Sequence, residues 1–241
     1  MSVAQLTLYT ARVCPFAQRV ELALAEAGAK VTKYQIDLAN KPEWYAPQVN
    51  PASKVPAVAY GGPDVLPDQP SPDSAKIAES LVLLEFVADL FPKSDLLPTD
   101  PVARARVRFF IDAVATKFAP AYVGFTVLGT QSADKLYDGL EDIQKLLPPV
   151  GFAAGPRFSN ADAALAPFLG RLELFLRNDV GKFAVGEGKK AHETIFGTPR
   201  FERLQRYFED VTSRESWKST FEAVRFSSWL RVAGGADGSV V

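Results

Sequence analysis

The chain has one cysteine, Cys14, in the segment Val13-Cys14-Pro15-Phe16-Ala17-Gln18-Arg19, and its surroundings decide what the sulfur could do. Ahead of it, Gln5-Leu6-Thr7-Leu8-Tyr9-Thr10 alternates apolar and polar residues, as a half-buried strand does. Behind it, Phe16, Val20, Ala23, Leu24 and Ala27 recur at helical spacing, with proline at a first-turn position and Gly28 at the stop. Cys14 is therefore expected at a helix N-terminus, where unpaired backbone N–H groups and the positive end of the helix dipole favour thiolate over thiol. A free cysteine titrates at roughly 8.5, and such a position can lower that value by one to several units. Arg12 and Arg19 are further sources of positive potential. An isolated cysteine is most often a small buried hydrophobe; the strand-Cys-Pro-helix placement sets this one apart.

Position 17 is alanine, so no Cys-x-x-Cys pair supplies a resolving thiol. Chemistry at Cys14 has to be monothiol: attack on a sulfur or an electrophilic carbon, with an external thiol, glutathione being the obvious candidate, completing the cycle. A single cysteine also excludes an intramolecular disulfide framework. The lone histidine, His192, is far away in sequence, so no metal site is expected.

The elements that must hold Cys14 form a strand, helix, strand unit, because Val31 to Leu38 returns to β-rich alternation through Tyr34 and Ile36. A turn-rich stretch, Asn40 to Pro47, leads into a short strand, Lys54 to Tyr60, entered through Val55-Pro56. Gly61 to Asp73 is full of Gly, Pro and Asp and reads as an enlarged hairpin loop. Ile77 to Leu90 is predicted to be a helix that ends by Phe91-Pro92. Beyond the prolines at 92, 98 and 101 the pattern turns helical: Pro101 to Gly129 with Pro120 as a kink, Asp134 to Leu147, Ser159 to Phe175, Glu202 to Arg214 and Glu215 to Phe226. The tail from Gly234 is Gly-rich and expected to fray. The domain reading is 1–92, a linker over 93–100, and a helical domain over 101–241.

With 241 residues, 47% hydrophobic and 23% charged, the chain is an ordinary globular composition. Lys plus Arg (27) nearly cancels Asp plus Glu (28), which gives no basic field for nucleic acid or an anionic membrane. Neither a signal-like N-terminus nor a run of about 18 apolar residues is read, so the expectation is a reduced, cytoplasmic compartment.

Taken together, the residues resemble the glutathione transferases, and among them the omega class, whose Cys-Pro-Phe-Ala signature is matched letter for letter at Cys14-Pro15-Phe16-Ala17. Three further segments follow in the family's order: Asn40-Lys41-Pro42-Glu43-Trp44, Lys54-Val55-Pro56 and Ala78-Glu79-Ser80. The enlarged Gly61 to Asp73 loop is similar to that of fungal members of the class. The resemblance implies an α/β thioredoxin-like N-terminal domain followed by an all-α C-terminal domain. It also implies that glutathione binds as co-substrate. Val55 before a cis Pro56 would pair with its cysteinyl backbone. Glu79 and Ser80 would receive the γ-glutamyl ammonium and carboxylate, Lys41 the glycyl carboxylate, and Phe16 would border the site. Ser159-Asn160-Ala161-Asp162 resembles the family's helix-capping motif, with a role in folding.

By the same resemblance, a cysteine at the activating position implies glutaredoxin-like thiol transfer, or deglutathionylation, rather than conjugation. The chemistry extends to S-(phenacyl)glutathione-type ketones and dehydroascorbate. A hydrophobic site for aromatic electrophiles or ligands is expected between the domains. Phe118, Tyr122 and Phe125 are its candidate wall, drawn from a longer aromatic stripe that includes Phe109 and Phe110. A homodimer is implied, using the Ile77 to Leu90 helix. The alternative is a ligandin-like carrier that holds aromatic compounds such as polyphenols without turnover. The chloride intracellular channel proteins share the fold and a similar motif; the intact Glu79-Ser80 pair weighs against them.

Overall fold

The structure is a computed structural model and describes residues 4–221. The Gly-rich tail and the part of the predicted last helix beyond 221 lie outside the described residues. Strands β1 (Leu6–Thr10), β2 (Thr32–Gln35), β3 (Ala57–Tyr60) and β4 (Ala75–Ala78) form one sheet in the order β2-β1-β3-β4. β1 runs parallel to β2 and antiparallel to β3, which pairs antiparallel with β4. Helix α1 (Pro15–Glu26) is the crossover between the two parallel strands, and it follows β1 after a four-residue loop. That crossover is what brings the start of α1, and Cys14 with it, to the end of the central strand.

β1 alternates in sequence, yet all five of its residues are buried. Leu6 and Leu8 join Val58, Val20, Leu24, Leu83 and Val87 in the main core, under α1 and α3 (Ser80–Leu90). Tyr9, Ala57 and Ala59 face the opposite side, against Ile36, Tyr45 and Val49. The one-turn helix α2 (Tyr45–Gln48) covers this second face. The 61–74 hairpin loop is pinned beside it: the Gln5 side chain donates to Val65 O (2.8 Å) and accepts from Val65 N (3.3 Å), and the Tyr9 hydroxyl donates to Pro67 O (2.8 Å). Thr7 and Thr10 are polar yet buried; the Thr10 hydroxyl donates to Glu21 of α1 at 2.6 Å.

β2 and β3 are shorter than the stretches expected over Val31 to Leu38 and Lys54 to Tyr60, and the head of the next helix differs in kind. Residues 75–78 are strand β4, and the helix starts only at Ser80. Pairing with β3 claims Ile77, and Glu79 sits at φ 70°, a left-handed conformation that no helix continues. A run with both apolar alternation and helix formers was decided by its long-range partner.

The remaining elements are helical. Pro101–Leu128 is one helical stretch made of α4 (Pro101–Ala113), π-helical turns at Val114–Phe118 and Val123–Leu128, and α5 (Ala119–Tyr122) between them. Pro120 falls in the short α segment between the two wide turns. By length and composition this stretch could cross a membrane, contrary to the expectation from sequence; 50% of its most apolar window is buried inside the protein. α6 (Ala133–Leu146), α7 (Asn160–Arg177), α9 (Glu202–Thr212) and α10 (Glu215–Thr220) follow the predicted pattern. α8 (Glu187–Gly197) was not foreseen, because it buries little beyond Ala191 and Ile195. α7 is the central helix, buried along nearly its whole length against α1, and Gly170 within it admits the Trp217 ring of α10 where a Cβ would clash at 2.4 Å.

The start of α7 is held by the predicted capping motif. The Asp162 carboxylate accepts from the Ser159 backbone N–H (2.8 Å), the Ser159 hydroxyl (3.0 Å) and the Ala153 N–H (2.7 Å). Burial pushes this carboxyl up to about 6, against the pull of those donors. Replacing it leaves two buried N–H groups without an acceptor. Asp162→Ala is expected to destabilise the protein by about 3 kcal/mol, read as the shift in a urea unfolding transition; a loss below about 0.5 kcal/mol would show that the cap is dispensable.

Candidate active site

Cys14 is the N-cap of α1, extended at φ −82° and ψ 118°, with Pro15 as the first helical residue. A tight turn places it, its N–H bonding Ala11 O at 2.9 Å. The thiol is half-buried and donates to the carbonyl of Val55 at 3.8 Å. The peptide bond from Val55 to Pro56 is cis.

Two clefts adjoin beside this sulfur, and Cys14 itself lines the larger of them. The smaller, about 170 Å³, is lined by Phe16, Asn50, Lys54, Val55, Pro56, Glu79 and Ser80. The larger, about 360 Å³, holds Cys14 itself, with Lys41 and Ser53 on one side and an apolar wall of Tyr122, Val123, Val127, Phe168 and Phe175 on the other. Phe16, Lys54 and Val55 belong to both. Residues 61–74 line neither.

The smaller cleft is built by the strained head of α3. Glu79 at φ 70° turns the chain sharply into Ser80, so that the carboxylate and the hydroxyl share one pocket with the helix N-terminus. Ser80 Oγ accepts from Arg19 Nη1 at 3.2 Å, which leaves its own proton to donate. Opposite, Tyr45 Oη and Asn50 Nδ2 both donate to Lys54 O at 2.8 Å and fix the approach to Val55. Lys41 Nζ donates to Ser53 O at 2.9 Å.

Two buried arginines complete the setting. Arg19 of α1 donates to Ala164 O in α7 at 2.9 Å, and its guanidinium lies 4.7 Å from the Phe168 ring centre and 5.2 Å from that of Phe16. Arg171 of α7 reaches the other way, donating to Val13 O (2.9 Å), Arg12 O (3.0 Å), Pro167 O (2.9 Å) and the Gln18 side chain.

The thiol's ionisation differs from the expectation of a depressed value. Burial is the largest influence and pushes the Cys14 thiol up; the N–H groups of Ala17 and Phe16 and the charges of Arg171 and Arg19 pull it down without overtaking that influence. The helix N-terminus acts in the expected direction, and the burial of the thiol outweighs it.

Phe16, Val55, Pro56, Glu79 and Ser80 gather in the smaller cleft, and Lys41 lies in the larger one beside Cys14. Of the aromatic candidates, Tyr122 lines the larger cleft, but Phe118 is fully buried in the helical core and Phe125 stacks on Phe183 at 4.8 Å. Phe110 is also core, and Phe109 is 63% exposed. The wall is completed instead by α7, through Phe168, Arg171 and Phe175. These stand at i, i+3 and i+7, one helical face, in a segment that the sequence marks only as a helix. Lys54 and Asn50 were likewise passed over. His192 lies elsewhere, 3.4 Å from Glu173.

A sheet with a cis-proline opposite an N-capping cysteine, followed by a bundle that closes over it, is a thioredoxin-like domain with a helical partner. Residues 8–95 match the family described as Glutathione S-transferase, N-terminal domain. Glutathione transferase Omega 1C from Trametes versicolor superposes with a TM-score of 0.93 at 55% identity, covering 97% of this chain and 98% of that one. Glutathione transferase Omega 2S from Trametes versicolor, solved in complex with 2,4-dihydroxybenzophenone, gives 0.88 at 41% identity over 96% and 99%. Glutathione S-transferase L1 of Arabidopsis thaliana is 33% identical over 190 residues, 76% of this chain and 72% of that protein. The chain belongs to the glutathione transferase family and, within it, to the omega class.

Because burial holds the Cys14 thiol above the ordinary cysteine range, thiolate should accumulate late as pH rises. The rate of alkylation by iodoacetamide, followed by intact mass, is expected to climb through alkaline pH with its midpoint above that of a free cysteine. A midpoint below neutrality would reverse this assignment.

Proposed function

We propose that the protein is a glutathione-dependent thiol transferase that works through Cys14 as nucleophile. The observation that carries this reading is the sulfur's place in a larger, mainly apolar cleft, 3.8 Å from the carbonyl of Val55, a residue that this cleft shares with a smaller one holding Glu79 and Ser80. The small cleft offers complementary groups for the γ-glutamyl end of glutathione: the Glu79 carboxylate for its ammonium, and the Ser80 hydroxyl with the α3 N-terminus for its carboxylate. Val55 stands where an extended peptide backbone can pair, and Lys41 and Lys54 offer charge to the glycyl carboxylate.

In the reaction, the Cys14 thiolate attacks the glutathionyl sulfur of a mixed disulfide. A new S–S bond forms to glutathione as the old one breaks, and the departing thiolate takes a proton from solvent. A second glutathione thiolate then attacks the adduct, giving oxidised glutathione and the free Cys14 thiolate. A raised thiol value slows this less than it first suggests. Each unit lowers the thiolate fraction at neutral pH about tenfold but raises intrinsic nucleophilicity about threefold.

The apolar wall of the larger cleft supports an aromatic or otherwise apolar leaving thiol or electrophile. The benzophenone complex of the Omega 2S relative is in keeping with this. A reducing compartment belongs to the reading, since the cycle consumes reduced glutathione. So does a homodimer, for which exposed Val82 on α3 and Phe109 on α4 are available apolar surface.

Cys14→Ser is expected to abolish glutathione-dependent disulfide reduction. Treatment of the wild-type protein with oxidised glutathione should add one glutathionyl group, removed by reduced glutathione and absent from the variant in intact-mass spectra. Retained turnover in Cys14→Ser would sink the proposal. Glu79→Gln is expected to raise KM for glutathione about tenfold with kcat little changed, as loss of a charge-assisted hydrogen bond dictates; an unchanged KM would remove Glu79 from the binding site.

A further inference from the structure

We propose that Arg171 is the positioning residue for Cys14, a group of the helical domain that fixes the nucleophile's loop from outside the domain that carries it. The inference rests on the reading of Cys14 as nucleophile and adds a second residue to it.

The loop between β1 and α1 is short, and its own domain ties it through the bond from Cys14 N to Ala11 O. The carbonyls of Arg12 and Val13, the two residues directly before the cysteine, are met by Arg171 Nη2 at 3.0 Å and Nε at 2.9 Å. Nη1 holds the Gln18 side chain, one turn into α1 on the far side of Cys14, and also Pro167 O at 2.9 Å. One planar group therefore brackets the cysteine from both sequence directions. A guanidinium can do this because its donors form a rigid fork. At 2% exposure Arg171 is among the largest fully enclosed side chains, so the fork is locked by packing.

The charge has a role separate from the geometry. Burying a guanidinium is costly, and a nearby anion offsets that cost. Arg171 and Cys14 each favour the other's charged form, and Arg171 stays cationic at neutral pH, its value lowered by burial only to about 10. Among the described residues, the other titratable or charged groups around this pair are Arg12 in the same loop, Arg19 and Glu21 on α1, Tyr45 on α2, Tyr122 on α5, Lys41 and Lys54 on either side of α2, and Glu79 at the head of α3. Arg171 both holds the cysteine loop's backbone and bears on the sulfur's charge.

Gln18 gives a way to separate the two effects. The residue is 2% exposed and its Nε2 has no hydrogen-bond partner among the described residues, while Oε1 accepts from Arg171. Gln18→Glu keeps the shape and the bond but sets a carboxylate against the guanidinium.

The experiment measures three quantities on the full chain: the pH profile of Cys14 alkylation by iodoacetamide, kcat and KM for reduction of the glutathione–mercaptoethanol mixed disulfide, and Tm. Arg171→Met is expected to slow alkylation at neutral pH about tenfold and shift its midpoint upward, with kcat falling and KM for glutathione moving less than about twofold. Arg171→Lys should restore the midpoint but not kcat, because a point ammonium cannot hold both carbonyls. Gln18→Glu should raise the midpoint with Tm unchanged or higher.

If Arg171→Met lowers Tm alone and leaves profile and kcat in place, the residue is structural and the proposal falls. If Arg171→Met does not fold, an unmoved profile in Gln18→Glu overturns it equally. A wild-type protein without thiol transfer would defeat the functional reading instead, and the alkylation profile would still test Arg171.

Discussion

The structure depends on a seam between two domains that is closed by buried cations reaching in opposite directions. Arg19 goes from α1 to a carbonyl of α7, and Arg171 goes from α7 to carbonyls beside Cys14. Such groups resist burial, and each is made tolerable by hydrogen bonds to main-chain oxygens and by aromatic faces, here Phe16 and Phe168 under Arg19. The consequence is that neither domain holds the whole candidate site alone. The sheet domain contributes the sulfur, the cis-proline, the Glu79-Ser80 corner and Arg19; α7 contributes Arg171 and its hydrogen bonds to the cysteine loop.

The seam also explains the compromise at the sulfur. A thiol at a helix N-terminus between two guanidinium groups would be strongly acidic in an open site. Closing the bundle over it removes water and pushes the value back up. A cleft dry enough to take an apolar partner and a cysteine that stays ionised are competing demands, and the two arginines are what keep the second within reach. Arg19 also organises the neighbouring cleft, since it occupies an acceptor site of Ser80 and leaves that hydroxyl's proton to donate.

Local features were legible in sequence because local forces decide them. The strand-Cys-Pro-helix order follows from periodicity and the proline at the first turn, and the Ser159–Asp162 cap from its spacing. Val55, Pro56, Glu79 and Ser80 came through resemblance, and they do converge in one cleft. What failed depended on distance in the chain. Residues 75–78 contain helix formers but pair with β3. Phe118 and Phe125 share a helix with Tyr122, yet only Tyr122 faces the cleft, because the π-helical turns on either side rotate the register of the face. Arg171 lies 157 positions from Cys14, and nothing local marks an arginine in an apolar helix as part of a cysteine's surroundings.

Thiol exchange adds a constraint that bears on the two clefts. Attack at a sulfur proceeds with the entering and leaving sulfurs on opposite sides of the one attacked. On the proposed reading, with Cys14 entering, the glutathionyl sulfur has to sit between it and the departing group, so the peptide and its cargo cannot occupy the same side. A single pocket would force them together. Here the polar cleft and the apolar one diverge from the shared residues Phe16, Lys54 and Val55, so a peptide anchored at Glu79 and Ser80 leaves the apolar side open to whatever its sulfur carries. Selectivity on the proposed reading then divides cleanly: the small cleft recognises the constant peptide through charge, and the larger one tolerates variable cargo through apolar surface, which constrains chemistry much less than it constrains size.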